Sequence, residues 1–205
     1  MEIRLNNLSK SFQDQVVLNN ISTTFIGPGL YILFGHSGSG KTTLLNIIAG
    51  LEKSSSGEVI KDKKIKSGII FQHHYLLGDL TGYENVTLPL KINRTPFAKV
   101  EIYKLFDQFR IGDTRKRKIK FCSGGEAQRI NFIRTLASKP DFILADEPTG
   151  SIDLDNASFI KNKLLELSKD ILVIIVTHDR KLFANITANY LYLEKGKIAA
   201  YVMED

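Results

Sequence analysis

Eight consecutive residues, Gly35-His36-Ser37-Gly38-Ser39-Gly40-Lys41-Thr42, match the pattern G-x-x-x-x-G-K-[ST]. Glycines let a backbone curl tightly enough for successive N–H groups to point at phosphate oxygens. A helix starting at the end of such a loop adds the positive end of its dipole. In that arrangement Lys41 reaches the β- and γ-phosphates of a nucleotide and the Thr42 hydroxyl ligates Mg²⁺. His36 occupies a free position of the pattern and reads as a spacer, not a base.

A second group has complementary chemistry. Phe142-Ile143-Leu144-Ala145-Asp146-Glu147 is an apolar run ending in two acids, so a strand here delivers both carboxylates to the edge of a sheet. Asp146 suits the Mg²⁺, through its water shell, and Glu147 suits taking a proton from an attacking water. Alone, an Asp-Glu pair ahead of Pro148 reads equally well as a solvated turn or a helix cap. Beside a phosphate loop the catalytic reading is favoured.

These groups must be held by particular elements. Leu30-Tyr31-Ile32-Leu33-Phe34 is an apolar run of the kind buried on both faces, and it leads straight into the glycine loop. From Lys41 to Ala49 apolar residues recur at helical spacing, with Gly50 placed to end the helix. Similar strand runs return at Gly68–Phe71, Phe142–Ala145 and Ile171–Val176. Alternation with helical stretches predicts a parallel α/β sheet with helices on both faces, a P-loop hydrolase core. The mixed apolar and polar segments Ile3–Leu8 and Val16–Ile21 predict an exposed antiparallel edge sheet, and Asn189–Leu193 with Lys197–Tyr201 predicts a closing hairpin. Residues 75–137 lack such strands and show helical patterns at Phe97–Phe109 and Glu126–Leu136, which predicts a helical subdomain inserted between core segments 1–74 and 138–205 of one domain.

The composition fits this. With 205 residues, 43% of them hydrophobic and 24% charged, the chain is long enough for one domain with a substantial core. Its single cysteine, Cys122, excludes an internal disulfide and suits a reducing compartment. No signal peptide is visible, and no apolar run approaches the roughly 18 residues that a membrane span requires. The net charge of +6 is compatible with nucleic acid, an anionic membrane or a phosphorylated ligand.

Between the two phosphate-associated groups lies Cys122-Ser123-Gly124-Gly125-Glu126, and with it the sequence resembles the ATP-binding cassette (ABC) family over essentially its whole length. The resemblance implies that this segment is the family signature, which crosses a dimer interface to the γ-phosphate held by the other subunit. A serine hydroxyl and two glycine N–H groups at a helix start suit a second anion site, while Ser123 and Glu126 also fit a capping box. The double glycine, poor for a helix and unnecessary for a cap, favours the phosphate reading.

The resemblance assigns further roles. It makes Phe12 the aromatic that stacks on adenine, Gln72 the glutamine that senses Mg²⁺ and the attacking water, and His178 the switch histidine that contacts the γ-phosphate. Ser151 and Asp153 correspond to the D-loop, which touches the opposite site; Val17 and Thr43 complete the expected nucleotide contacts. Cys122, Glu126 and Phe12 replace the customary Leu, Gln and Tyr, without removing a phosphate or Mg²⁺ contact.

The string Ala145–Asp153 and Glu84–Leu90 resemble cassettes of the macrolide-exporter and lipoprotein-releasing type most. This implies an ATPase subunit on the cytoplasmic side of a membrane, pairing with a second such subunit around two MgATP and driving a separate integral membrane permease. A docking groove near Tyr75–Leu80 and Tyr83 is one expectation, and subdomain core is the other. The competing classes are a regulatory cassette, or one acting on a cell-division partner, DNA or ribosomes. The run Arg115-Lys116-Arg117-Lys118-Ile119-Lys120 is the only support for a nucleic-acid partner; it lacks interleaved aromatics, so none is expected.

Overall fold

The computed structural model describes residues 1–62, 64–150 and 152–200. Along the chain the elements are β1 (Glu2–Phe12), β2 (Gln15–Ile26), β3 (Gly29–Phe34), α1 (Lys41–Ala49), β4 (Ser56–Ile60), β5 (Ser67–Ile70), α2 (Gly82–Ile92), α3 (Lys99–Gln108), α4 (Gly124–Ala137), β6 (Phe142–Asp146), α5 (Leu154–Leu167), β7 (Leu172–Thr177), β8 (Asn189–Glu194) and β9 (Lys197–Ala200). Short 3₁₀ turns at Gly112–Lys116 and Ile119–Phe121 lead into α4.

The solid apolar runs form the centre of a six-stranded sheet in the order β5-β6-β7-β3-β8-β9, parallel except for β9. Period-two alternation divides each strand between two cores. On one face Ile143, Ala145, Val173 and Ile175 pack with helix residues Val86, Phe106, Ile130, Ile133, Ile160 and Leu164. On the other, Phe142, Leu144, Ile174 and Val176 pack with Leu44 and Ile48 of α1 and with Ile3, Leu5, Leu18 and Phe25.

That second cluster revises one expectation. The N-terminal strands belong to a three-stranded sheet, β2-β1-β4, whose inner face is buried, with Ile3, Leu8, Leu18 and Phe25 at 0% exposure. The alternating pattern reflects one buried and one solvated face, not an exposed sheet. The C-terminal hairpin forms, but β8 also pairs in parallel with β3, so it extends the central sheet; Tyr201 lies outside the described residues.

Residues 75–137 carry α2, α3 and α4. α2 begins with a reciprocal cap in which the Thr81 hydroxyl accepts from the Glu84 N–H and the Glu84 carboxylate accepts from the Thr81 N–H. The buried faces of these helices share one core with the central sheet. The segment 75–83 divides between both of its readings: Leu76 and Tyr83 pack against the core, while Tyr75 and Leu77 are exposed.

Candidate active site

Because β3, β5, β6 and β7 are parallel, the segments that follow them emerge on one edge of the sheet. The glycine loop follows β3, Gln72 follows β5, Glu147 follows β6 and His178 follows β7. They wall a cavity of about 1020 Å³. Gly35, His36, Ser37, Gly38, Gly40, Lys41, Thr42 and Thr43 line it together with Val17, Gln72, Asp146, Glu147 and His178.

The loop's shape depends on Gly40, whose φ of +100° is strained for any residue with a side chain. A Cβ there would also lie 2.9 Å from Leu18 Cδ2 and 3.0 Å from Val17 Cγ1. No side chain caps α1, and its ladder opens with the Leu44 N–H donating to the Gly40 carbonyl at 2.9 Å, so the first-turn N–H groups face out of the helix end. The Lys41 ammonium donates to the carbonyls of Gly35 at 2.8 Å and His36 at 3.0 Å, which holds the loop closed upon it. Burial pushes the Lys41 pKa below its ordinary value, against the opposing charges of Glu147 and Asp146.

Asp146, lining the same cavity, is 6% exposed. Burial raises its pKa; a hydrogen bond with the Thr42 side chain opposes the rise, the neighbouring Glu147 adds to it, and Lys41 again opposes it. Glu147 has φ +43°, which turns its side chain off the strand axis. Its Oε2 accepts from the Thr177 hydroxyl at 2.8 Å, and its Oε1 accepts from the His178 N–H at 3.0 Å and faces His178 Nδ1 at 2.7 Å.

Other predicted residues lie apart from the cavity. Phe12 is 46% exposed at the end of β1, with Lys10 Nζ 4.6 Å from its ring centroid, and does not line the cavity. The Ser39 hydroxyl is turned inward and buried without a hydrogen-bond partner. Ser151 lies outside the described residues. Ser123 caps α4 and Gly124, Gly125 and Glu126 begin it; none of the four lines the cavity. There the capping box is realised: the Ser123 hydroxyl accepts from the Glu126 N–H at 3.2 Å and the Glu126 carboxylate accepts from the Ser123 N–H at 2.8 Å. Glu126 also pairs with Arg117 at 2.8 Å.

The two signature glycines differ. A Cβ on Gly124 would meet nothing within 4 Å, whereas one on Gly125 would lie 2.5 Å from Asn156 Nδ2. Packing thus explains Gly125 without any ligand. Asp153 caps α5, accepting from the Asn156 N–H at 2.9 Å. Further along α4, Gln128 Nε2 donates to the Pro148 carbonyl at 2.5 Å, and Arg134 donates to the carbonyls of His74 at 2.6 Å and Tyr75 at 2.8 Å.

Two lining residues escaped the sequence reading: Arg180 and Tyr192. Arg180 follows His178 by two positions in the same turn, a proximity signal that was present. Tyr192 is placed by the β3–β8 register, which sets it opposite Phe34 at the mouth of the glycine loop.

A glycine loop opening a helix, a strand-end Asp-Glu pair facing it, and a parallel sheet covered on both faces define a P-loop nucleotide hydrolase. The chain belongs to the ABC transporter family, whose model matches residues 18–150. It is 37% identical to the lipoprotein-releasing system ATP-binding protein LolD of Buchnera aphidicola, covering 97% of each chain. It is 32% identical to the methionine import ATP-binding protein MetN 1 of Rhodopseudomonas palustris, covering 92% of this chain and 56% of that one. Among solved structures it is similar to a dimeric ATP-binding cassette in a post-hydrolysis state bound to ADP and Pi, with a TM-score of 0.83, 30% identity and 96% coverage of both chains. The protein is an ATP-binding, ATP-hydrolysing subunit of the ABC type. No helix among the described residues is long and apolar enough to cross a membrane.

Proposed function

We propose that two copies of the chain close around two MgATP molecules and that hydrolysis drives a separate membrane permease of the exporting or lipoprotein-releasing kind. The observation that carries this reading is the position of Glu147, held by Thr177 and His178 across one cavity from Lys41 and Thr42. In it the glycine loop, Lys41 and the α1 N-terminus bind the phosphates. Glu147 takes the proton of the attacking water, Gln72 and His178 orient that water, and Phe12 stacks on adenine. Ser123, Gly124, Gly125, Glu126, Ser151 and Asp153 serve the opposite subunit's nucleotide.

The donor set fits Mg²⁺. Thr42 would supply a hydroxyl, Gln72 an amide oxygen and Asp146 a carboxylate, all lining one cavity, with phosphate oxygens and water completing the oxygen shell. Once bound, the ion supplies charge neutralisation along the phosphates.

The full-length similarity to a lipoprotein-releasing relative favours export or extraction over import. A groove between β5, α2 and α4, lined by Phe71, Tyr75, Pro89 and Arg134, suits a short amphipathic segment of the permease. The basic run gives little support to a nucleic-acid partner, because Arg115, Arg117 and Lys120 engage Asp107, Glu126 and Asp79 within the chain.

The test is Glu147→Gln. Nucleotide binding stays near the parent's, hydrolysis falls at least about 100-fold, and an ATP-dependent dimer accumulates. Parent-level turnover refutes the role of Glu147. Recovery of an integral membrane protein with the tagged chain from detergent-solubilised membranes supports the permease, and salt-sensitive retention on DNA or ribosomes supports the rival class.

A further inference from the structure

The side chain of Asn156 lies between the first turns of α4 and α5. Its Nδ2 donates to Asp153 Oδ2 at 2.6 Å and its backbone N–H donates to Asp153 Oδ1 at 2.9 Å. Its Oδ1 accepts from Arg129 Nη2 at 2.7 Å. With a carboxylate on one side and a guanidinium on the other, the amide has one orientation. Arg129 is itself fixed, donating to the Phe109 carbonyl at 3.1 Å and lying 4.2 Å from the Phe159 ring centroid.

The amide also fills the space beside Gly125, where a Cβ would lie 2.5 Å from Nδ2 and 2.6 Å from Cγ. One planar group therefore sets the separation between Gly125 and Asp153. Gly124, the adjacent glycine, has open space around its Cα. The packing constraint is thus confined to the residue that Asn156 touches, and the neighbouring backbone is left accessible.

We propose that Asn156 is a positioning residue for the half-site that each subunit presents to its partner, fixing the signature turn and the Asp153 turn as one rigid unit. This rests on the shared-site dimer proposed above. Asn156 does not line the cavity formed by this chain's own phosphate loop. Its loss therefore weakens what the subunit offers across the interface and spares what it binds itself.

The experiment uses the Glu147→Gln background with saturating MgATP. Analytical sedimentation gives the protein concentration at half-dimerisation, and ADP titration of the monomer gives the affinity of the subunit's own loop. Adding Asn156→Ala raises the half-dimerisation concentration at least tenfold and leaves the ADP dissociation constant within twofold. Asn156→Asp keeps the shape and the Arg129 contact but sets an oxygen against Asp153 Oδ2; it shifts dimerisation the same way, and it replaces the Ala variant should that fail to fold. Unchanged dimerisation, or ADP affinity lost in proportion, overturns the proposal. A Glu147→Gln protein that stays monomeric with ATP refutes the shared-site reading itself.

Discussion

Glu147 and His178 are tied twice, once through the His178 N–H at 3.0 Å and once through its Nδ1 at 2.7 Å, both to the same carboxylate oxygen. A carboxylate only accepts, so Nδ1 is the donor of that contact, and the ring presents its Nε2 edge away from Glu147. The His178 side chain is 70% exposed and that of Glu147 only 12%, so the imidazole is the partner free to turn. His178→Ala is expected to lower kcat by about 100-fold while ATP affinity changes less than about threefold. Steady-state kinetics with nucleotide titration checks this; a loss confined to KM counts against an orienting role.

Lys41 is buried, and its ammonium bonds two carbonyls of its own loop. Lys41→Ala removes both ties and the phosphate contact expected of it. Hydrogen bonds to charged groups are worth about 1.5–3 kcal/mol, so the ADP dissociation constant should rise about 10- to 100-fold. Calorimetric titration decides, and parent-like affinity would mean that the loop is held by other groups.

Asp146 illustrates a conflict between stability and chemistry. Burial raises its pKa, so the fold favours the protonated form: the penalty for the charge is present above the raised value and is relieved as pH falls through it. Asn mimics the protonated form. Asp146→Asn should abolish turnover yet stabilise the fold at pH 7 by about 1 kcal/mol. Thermal unfolding at pH 7 is the measurement, and a lowered midpoint would show that the Thr42 and Lys41 contacts outweigh burial.

The helix caps contribute to the acid limb, alongside Glu52 and Glu166, whose pKa values are lowered by Lys10 and Lys163. The pKa of Glu84 is lowered by the Thr81 N–H and hydroxyl, and that of Asp153 by the Asn156 N–H and side chain. For Glu126 burial works upward, but the Ser123 N–H and Arg117 bring the net shift downward. Folded values below the ordinary ones mean stabilisation that is present above about pH 4.5 and lost as pH falls through the folded values. The unfolding temperature should drop steeply below that pH. In Glu84→Gln/Glu126→Gln/Asp153→Asn the drop should be shallower from a lower start, and an identical slope would assign acid lability elsewhere.

Much of the site was legible because its residues are local to strand ends. A buried run followed by Gly35–Thr42, or ending in Asp146-Glu147, states its own position on the sheet edge. Tyr192 was not legible, because its place depends on β8 joining β3 in parallel, a pairing between segments far apart in the chain. Gly125 was legible as unusual but not for its reason, which lies in Asn156 of another helix. β4 was missed because Ser56–Ile60 is a mostly exposed strand with little apolar signal.

α4 gives these separate contacts a common mechanical frame. Its first turn carries Gly124 and Gly125 after the Ser123 cap, its second turn holds Pro148 just after Glu147, and its last turn grips the chain at His74 and Tyr75 just after Gln72. At 1.5 Å per residue its 14 residues span about 21 Å. It is a lever with three attachments: a tilt of about 3° displaces one end by about 1 Å relative to the other, as much as a hydrogen bond tolerates before it breaks.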